Sequence, residues 1–156
     1  MKKTTDNDNT ICRNRKAGHR FEFLENIECG LLLRGSEVKS LRLRAASLDE
    51  AYARLERDEV WLVGCHIAPY SHAHDMGHEP LRRRKLLLHR HEIRKIRPKL
   101  EQKGLTLVPT RLYFNERGLA KITLSLARGK TGADKRQSLK AREDRREMER
   151  SIKQHR

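Results

Sequence analysis

Apolar residues in this chain come only in short runs, mostly alternating with polar neighbours and each ended by glycine, proline or a polar turn. A chain patterned this way can build a core only by pairing strands, because few segments carry an apolar helical face. Phe21–Leu24 and Ile27–Leu33 read as two strands, the second with Gly30 marking a bulge. Ala51–Leu55 and Val60–Ile67 read as a hairpin about the polar Glu56–Glu59. In Val60–Ile67, Val60, Leu62 and Gly64 face one side and Trp61, Val63 and Cys65 the other, so the strand is expected to be buried on both faces. Leu105–Phe114 tolerates Pro109 only at an edge or bulge, and the turn Asn115–Gly118 leads to a last strand, Leu119–Leu126. Two segments take helical spacing. Glu37–Leu43 follows Ser36 as a candidate cap, and His89–Lys103 places Ile93, Ile96 and Leu100 three and four apart. Pro98 is expected to bend or end that helix, and Gly104 to stop it. Six strands and two short helices predict a mainly β fold, a small antiparallel barrel of the oligonucleotide-binding type.

The ends of the chain differ from this middle. Residues 1–12 are polar and aperiodic, which predicts a disordered lead before a barrel over 13–127. Residues 128–156 hold eleven Lys and Arg against five Asp and Glu, a net of +6 over 29 residues. Leu139 and Met148 fall on opposite sides of a helical wheel, so this tail has no stripe with which to dock. It is rich in helix formers, with Arg145–Glu149 and Glu149–Lys153 spaced for ion pairs. The expectation is a tail disordered alone and helical on a polyanion.

Charge narrows the function. Thirty-six Lys and Arg against 21 Asp and Glu leave a net +15 and a pI near 10.3. Such a balance points to a polyanionic partner, nucleic acid first and an anionic membrane surface second. No run approaches the ~18 apolar residues of a membrane helix. The N-terminus lacks the apolar core of a secretory signal, and Cys12, Cys29 and Cys65 are three and scattered, which predicts a reducing, cytoplasmic setting without a disulfide framework. The loop Ser71–Pro80 holds His72, His74, Asp75 and His78, a metal-ligand set only in composition, since clustered histidines on a flexible loop give no fixed geometry. Cys65 and His66 are adjacent on a strand and point to opposite faces, so they cannot share a proton. His19 and His66 could serve ribonuclease-type acid–base chemistry, but nothing beyond residue type arranges them. The basic runs Arg13–Lys16, Arg82–Lys85 and Lys130–Arg146 are the stronger signal and point to RNA phosphates, with His19, Phe21 and Tyr113 available to stack on unpaired bases.

Six segments carry a resemblance: NRKAGHRF (14–21), GSEVKSLR (35–42), WLVGCHIAPY (61–70), RKLLLHRHEI (84–93), KGLTLVPTRLYF (103–114) and LARGKTGADKRQSLKAREDRRE (126–147). In this order they resemble the tmRNA-binding family of bacterial trans-translation, small protein B. The resemblance implies a barrel that binds the tRNA-like domain of transfer-messenger RNA (tmRNA). It also implies a tail that enters the decoding site of a ribosome stalled on truncated mRNA, against small-subunit rRNA. Elongation factor Tu is the implied companion in delivery. Carried over by position, the tmRNA-facing set is His19, Phe21, Glu28, Lys39, Arg42, His66, Lys85, Leu87, His89 and Lys121. The tail set is Arg128, Gly129, Lys130, Asp134, Lys135 and Arg136. The chain departs from the family pattern at Ala133, where a Tyr or His usually precedes the Asp-Lys-Arg triplet, at Ser47 and His89, each in place of Asn, and at Thr131-Gly132, expected to loosen the tail start.

The reading is therefore a non-enzymatic, cofactor-free RNA-binding adaptor, expected to be a cytoplasmic monomer. A structural ribosomal protein or general RNA-binding module is the alternative. A small ribonuclease or metal-dependent enzyme is the third.

Overall fold

The computed structural model describes residues 9–73 and 77–155. In chain order its elements are β1 (Thr10–Arg13), α1 (Ala17–Arg20), β2 (Phe21–Leu31), α2 (Gly35–Arg42), β3 (Ala46–Ser47), β4 (Tyr52–Glu56), β5 (Glu59–Val63), β6 (His66–Ile67), β7 (Arg84–Leu87), α3 (Arg90–Leu100), β8 (Leu105–Phe114), β9 (Ala120–Gly129) and α4 (Gly132–Gln154). Seven strands form one antiparallel sheet in the order β1-β8-β4-β5-β7-β2-β9, and β9 pairs back onto β8. That last pairing closes the sheet into the expected small barrel, with the β4–β8 seam held at Ala53 and Leu107. Its interior is filled by residues such as Val60, Leu62, Leu86, Leu112, Ile122 and Leu124, each at most 2% exposed.

Several expectations are corrected. Phe21–Leu31 is one strand rather than two, with its bulge between Phe23 and Glu25 rather than at Gly30. The polar Glu25-Asn26 does not interrupt it, because β9 pairs its backbone from Phe21 to Gly30 regardless of side chain. The lead is ordered from Thr10: β1 pairs with β8 and buries Ile11, while residues 1–8 lie outside those described. A single apolar side chain suffices there because an existing edge supplies the hydrogen bonds. Two further helices appear, α1 and α4, beside the two expected. β9 runs to Gly129, so Arg128 and Gly129 belong to the sheet.

In β5 only one face is fully buried. Val60 and Leu62 are inside, while Trp61 and Val63 are half-exposed. Gly64 then takes φ +74°, and a Cβ there would sit 2.6 Å from the Glu50 carbonyl oxygen. Only glycine makes that turn, which swings Cys65 into the core and leaves His66 outside. α3 passes through Pro98 without ending, since the proline lies in the last turn and the Glu101 N–H still closes on the Arg97 carbonyl at 3.1 Å. Ser36 does not cap α2. It lies in the first turn, and its Oγ pairs with His78 Nδ1 at 2.9 Å. The Arg34 N–H is instead taken by the Glu37 carboxylate at 2.8 Å.

One buried charge cluster anchors this arrangement. In β7 the strand period sends Arg84 and Leu86 inward and Lys85 and Leu87 outward. Arg84 is fully buried and opposite Leu62. Its guanidinium donates to Glu37 Oε1 at 2.8 Å, the Cys65 carbonyl at 2.6 Å and the Pro80 carbonyl at 3.1 Å. Arg82 donates to both Glu37 oxygens, at 3.1 and 2.7 Å. Burial pushes the Glu37 carboxyl up, but these donors outweigh it and bring it down to about 2. Because that value lies below the ordinary 4.5, the Glu37 charge stabilises the fold above pH ~4.5. The contribution is lost as pH falls from ~4.5 towards 2. Glu37→Gln leaves Arg84 buried without its counter-ion and is expected to cost about 3–5 kcal/mol, read as a lower urea midpoint at pH 7. The variant should also lose the part of the pH 6 to pH 3 decline that Glu37 supplies. An unchanged midpoint would remove the cluster from its anchoring role.

Candidate nucleic-acid interface

The expected tmRNA-facing residues divide among three places. The first is the outer face of the barrel near the C-terminal end of β2. Gly30 stands opposite Leu87 of β7 on one side and Lys121 of β9 on the other, and Lys121 stands opposite Tyr113 of β8. Glu28 lies two residues along the same face, opposite Thr123. Because alternate residues share a face, Glu28, Leu87 and Lys121 project together, with Leu87 half exposed. His89 follows Leu87 at the entry to α3, where its N–H is held by the Glu92 carboxylate at 2.8 Å and its ring stacks on His91 with centroids 5.4 Å apart. Such a face presents an apolar contact, a carboxylate, a cation and a stacked ring, the set that single-stranded or looped RNA uses.

Tyr113 is not free to stack on a base. It is buried under the Arg111 guanidinium, 4.4 Å from the ring centroid. Burial, then a hydrogen bond to Glu28, pushes its hydroxyl well above the ordinary range. Glu28 thus has a neighbour on β8 that sequence reading did not connect with it.

The second place is the barrel end. His19 is exposed on α1. Phe21 is half-buried against Ala17, Val108 and Ala127, so only part of its ring is available. Seven residues separate Phe21 from Glu28 along β2, about 23 Å of strand, so the two groups cannot meet one nucleotide. The third place is α2 and its surroundings. Lys39 and Arg42 are exposed there, Lys39 lying 5.4 Å over the Tyr70 ring, and His66 is exposed on β6.

The run Arg82–Lys85, expected to meet phosphates, is largely engaged within the protein. Arg82 and Arg84 serve Glu37. Arg83 pairs with Glu56 at 2.7 Å and covers Trp61, and Lys85 pairs with Glu59 at 2.9 Å. No signal in the sequence separates them, because Leu86 and Leu87 are both apolar and either phase of the strand would bury one of them. His78, in the histidine loop, is buried with Nδ1 on Ser36 and Nε2 on the Ile67 carbonyl at 3.0 Å. His74 and Asp75 lie outside the described residues. Among the described residues no three His, Cys, Asp or Glu side chains converge on a metal position, and no helix is long and apolar enough to cross a membrane.

The tail residues are organised at their root. Arg128 and Gly129 stand opposite Glu22 and Phe21 in the sheet. The Lys130 N–H bonds the Arg20 carbonyl at 2.9 Å, and its ammonium donates to the Gly18 carbonyl at 2.9 Å and to Ser138 Oγ at 3.0 Å. Thr131 does not loosen the start of α4. It caps it: Thr131 Oγ1 accepts the Asp134 N–H at 3.2 Å, and Asp134 Oδ2 accepts the Thr131 N–H at 3.2 Å. The Thr131 hydroxyl and N–H hold the Asp134 carboxyl below its ordinary range. Beyond this root α4 has no buried residue. Lys130→Met is expected to speed amide exchange over residues 131–138 while leaving Ile122–Leu126 protected. Equal exchange in the two proteins would show that the ammonium does not hold the root.

Comparison with known proteins gives one consistent answer. The SsrA-binding protein of Syntrophobacter fumaroxidans is 48% identical over 153 residues, covering 98% of this chain and 94% of that protein. The SsrA-binding protein of Thermosynechococcus vestitus is 51% identical over 150 residues, covering 96% and 98%. A solved structure described as "tmRNA-SmpB: a journey to the center of the bacterial ribosome" superimposes with a TM-score of 0.67 at 47% identity, over 82% of this chain and 93% of that one. The sequence model of the SmpB protein family matches residues 11–154, nearly the whole chain, and the chain belongs to that family.

Proposed function

We propose that this chain is an RNA-binding adaptor of trans-translation. It binds the tRNA-like domain of tmRNA and delivers it to ribosomes stalled on truncated mRNA. The observation that carries this reading is the near-full-length likeness to SsrA-binding proteins and to a tmRNA–SmpB structure. The face around Glu28, Leu87, His89 and Lys121 supports it with a suitable mix of stacking, apolar and charged groups, held on paired strands rather than on loops. The barrel end with His19 and Phe21 and the exposed Lys39, Arg42 and His66 extend that surface, and Lys85 takes part at its edge.

The tail, from Lys130 with Asp134, Lys135 and Arg136, stands in the decoding site in place of the missing codon–anticodon helix. Arg128 and Gly129 set its direction. Exposure on every face of α4 supports a segment that, beyond its capped root, is coil-like alone and completes its packing on RNA. Elongation factor Tu accompanies the complex, and the adaptor works as a cytoplasmic monomer without cofactor or catalysis. Burial pushes the Cys29 thiol up to about 12 and Cys65 to about 11, which suits core packing and not nucleophilic chemistry.

Sequencing the RNA that co-purifies with the protein tests the reading. One dominant structured species with a tRNA-like acceptor end is expected. Ribosomal RNA retained through high salt would point to a structural ribosomal protein instead. Glu28→Ala is expected to keep the fold and weaken tmRNA binding about 5–100-fold, on the scale of a lost hydrogen bond to a base edge. Unchanged affinity by filter binding would return Glu28 to its role beside Tyr113. Removing residues 131–156 should leave the melting temperature and most tmRNA affinity in place while abolishing peptide tagging on stalled ribosomes. Full tagging by the truncated protein would overturn the decoding-site role.

A further inference from the structure

A second cationic groove lies beside the Leu87 face and is not accounted for by the residues above. It is about 600 Å³, between the β4–β5 turn, β7 and α3. Leu87, Leu88 and Ile93 give it an apolar floor. Two acids and four bases line its walls, and the acids are already used. Asp58 pairs with Arg97, and Glu59 pairs with Lys85 at 2.9 Å. What remains is Arg90 and Arg94, both exposed and without an acidic partner among the described residues. They stand four residues apart on α3, one helical turn or ~6 Å of rise, and so lie on the same side of the helix.

Unpaired arginines over an apolar floor suit a phosphate chain that lays a base or sugar against the floor. The guanidinium fork meets phosphate oxygens two at a time. Leu87 lines the groove and also belongs to the outer face of the barrel, and His89 immediately precedes Arg90. A strand leaving Leu87 and His89 would therefore pass directly over Arg90 and Arg94. We propose that this groove is an RNA-backbone site, in which Arg90 and Arg94 each neutralise a phosphate of the tmRNA that contacts Leu87 and His89. It rests on the function proposed above and adds to it a path for the RNA along α3.

The test is the salt dependence of tmRNA binding by the full chain. Each lost arginine–phosphate contact should lower the slope of log K against log salt by ~0.7–0.9. Arg90→Ala with Arg94→Ala should therefore lower it by ~1.4–1.8 and weaken binding most at low salt, with no change in melting temperature. Arg90→Glu with Arg94→Glu should weaken it further. Lys103→Ala with Arg117→Ala removes the same charge from elsewhere and should leave the slope nearly unchanged. An unchanged slope in the arginine pair, with the wild-type slope steep, would overturn this site and leave the adaptor function standing. An equal drop in both pairs would also overturn it, as an effect of net charge alone. A defect confined to ribosome association, with tmRNA binding intact, counts against it as well. A wild-type protein with no preference for tmRNA would instead overturn the function on which the site rests.

Discussion

The ion cluster of Glu37, Arg84 and Arg82 is the interaction on which the rest of the structure hangs. Two fully buried charges are costly to desolvate, and they are tolerated because every buried side-chain nitrogen and oxygen among the described residues has a hydrogen-bond partner. Arg84 reaches the carbonyls of Cys65 and Pro80 at the two ends of a long excursion, and Glu37 brings α2 onto the same point. The segment from Cys65 to Pro80 is thereby stitched to the barrel without an apolar core of its own. His78 adds a second stitch through Ser36 and Ile67. Fixing Arg84 inward also fixes Lys85 and Leu87 outward, so the buried pair sets which side chains β7 presents at the surface.

The β2–β9 ladder is the second organising element. It runs from Phe21 opposite Gly129 to Gly30 opposite Lys121, and so joins the tail root to the central face through continuous backbone hydrogen bonds. Lys130 and the Thr131–Asp134 cap then hold the start of α4 at the barrel end. The helix itself gains nothing from burial, so its stability depends on its cap, its i,i+4 pairs and what it meets.

Charge is distributed to match this division. Many cations near the core are consumed: Arg82 and Arg84 by Glu37, Arg83 by Glu56, Arg97 by Asp58, Lys99 by Glu25. Net charge alone therefore overstates the surface available to phosphate. The cations on α2 at Lys39 and Arg42, on α3 at Arg90 and Arg94, on β9 at Lys121 and along α4 are among those left to meet a polyanion.

The sequence by itself determined the class of fold and the family. Period-two apolar runs, the proline and turn positions of β8 and β9, and six motif segments in fixed order survive any packing detail, because strand alternation and turn chemistry are local properties. The bare tail was legible for the same reason, since no helical rotation gives it an apolar stripe. Other features depended on contacts between residues far apart in the chain. Arg84 is indistinguishable from Arg83 in LRRRK until β7 is paired with β5 and its inward face is known. Tyr113 reads as a base-stacking ring until the Arg111 guanidinium is seen to lie over it. β1 could not be read from one isoleucine, because its hydrogen bonds come from an edge of β8 a hundred residues away. Gly64 gave no sign that its turn would carry Cys65 inside. In each case the deciding quantity was which partner removed a polar group from water, and only the tertiary structure supplies that partner.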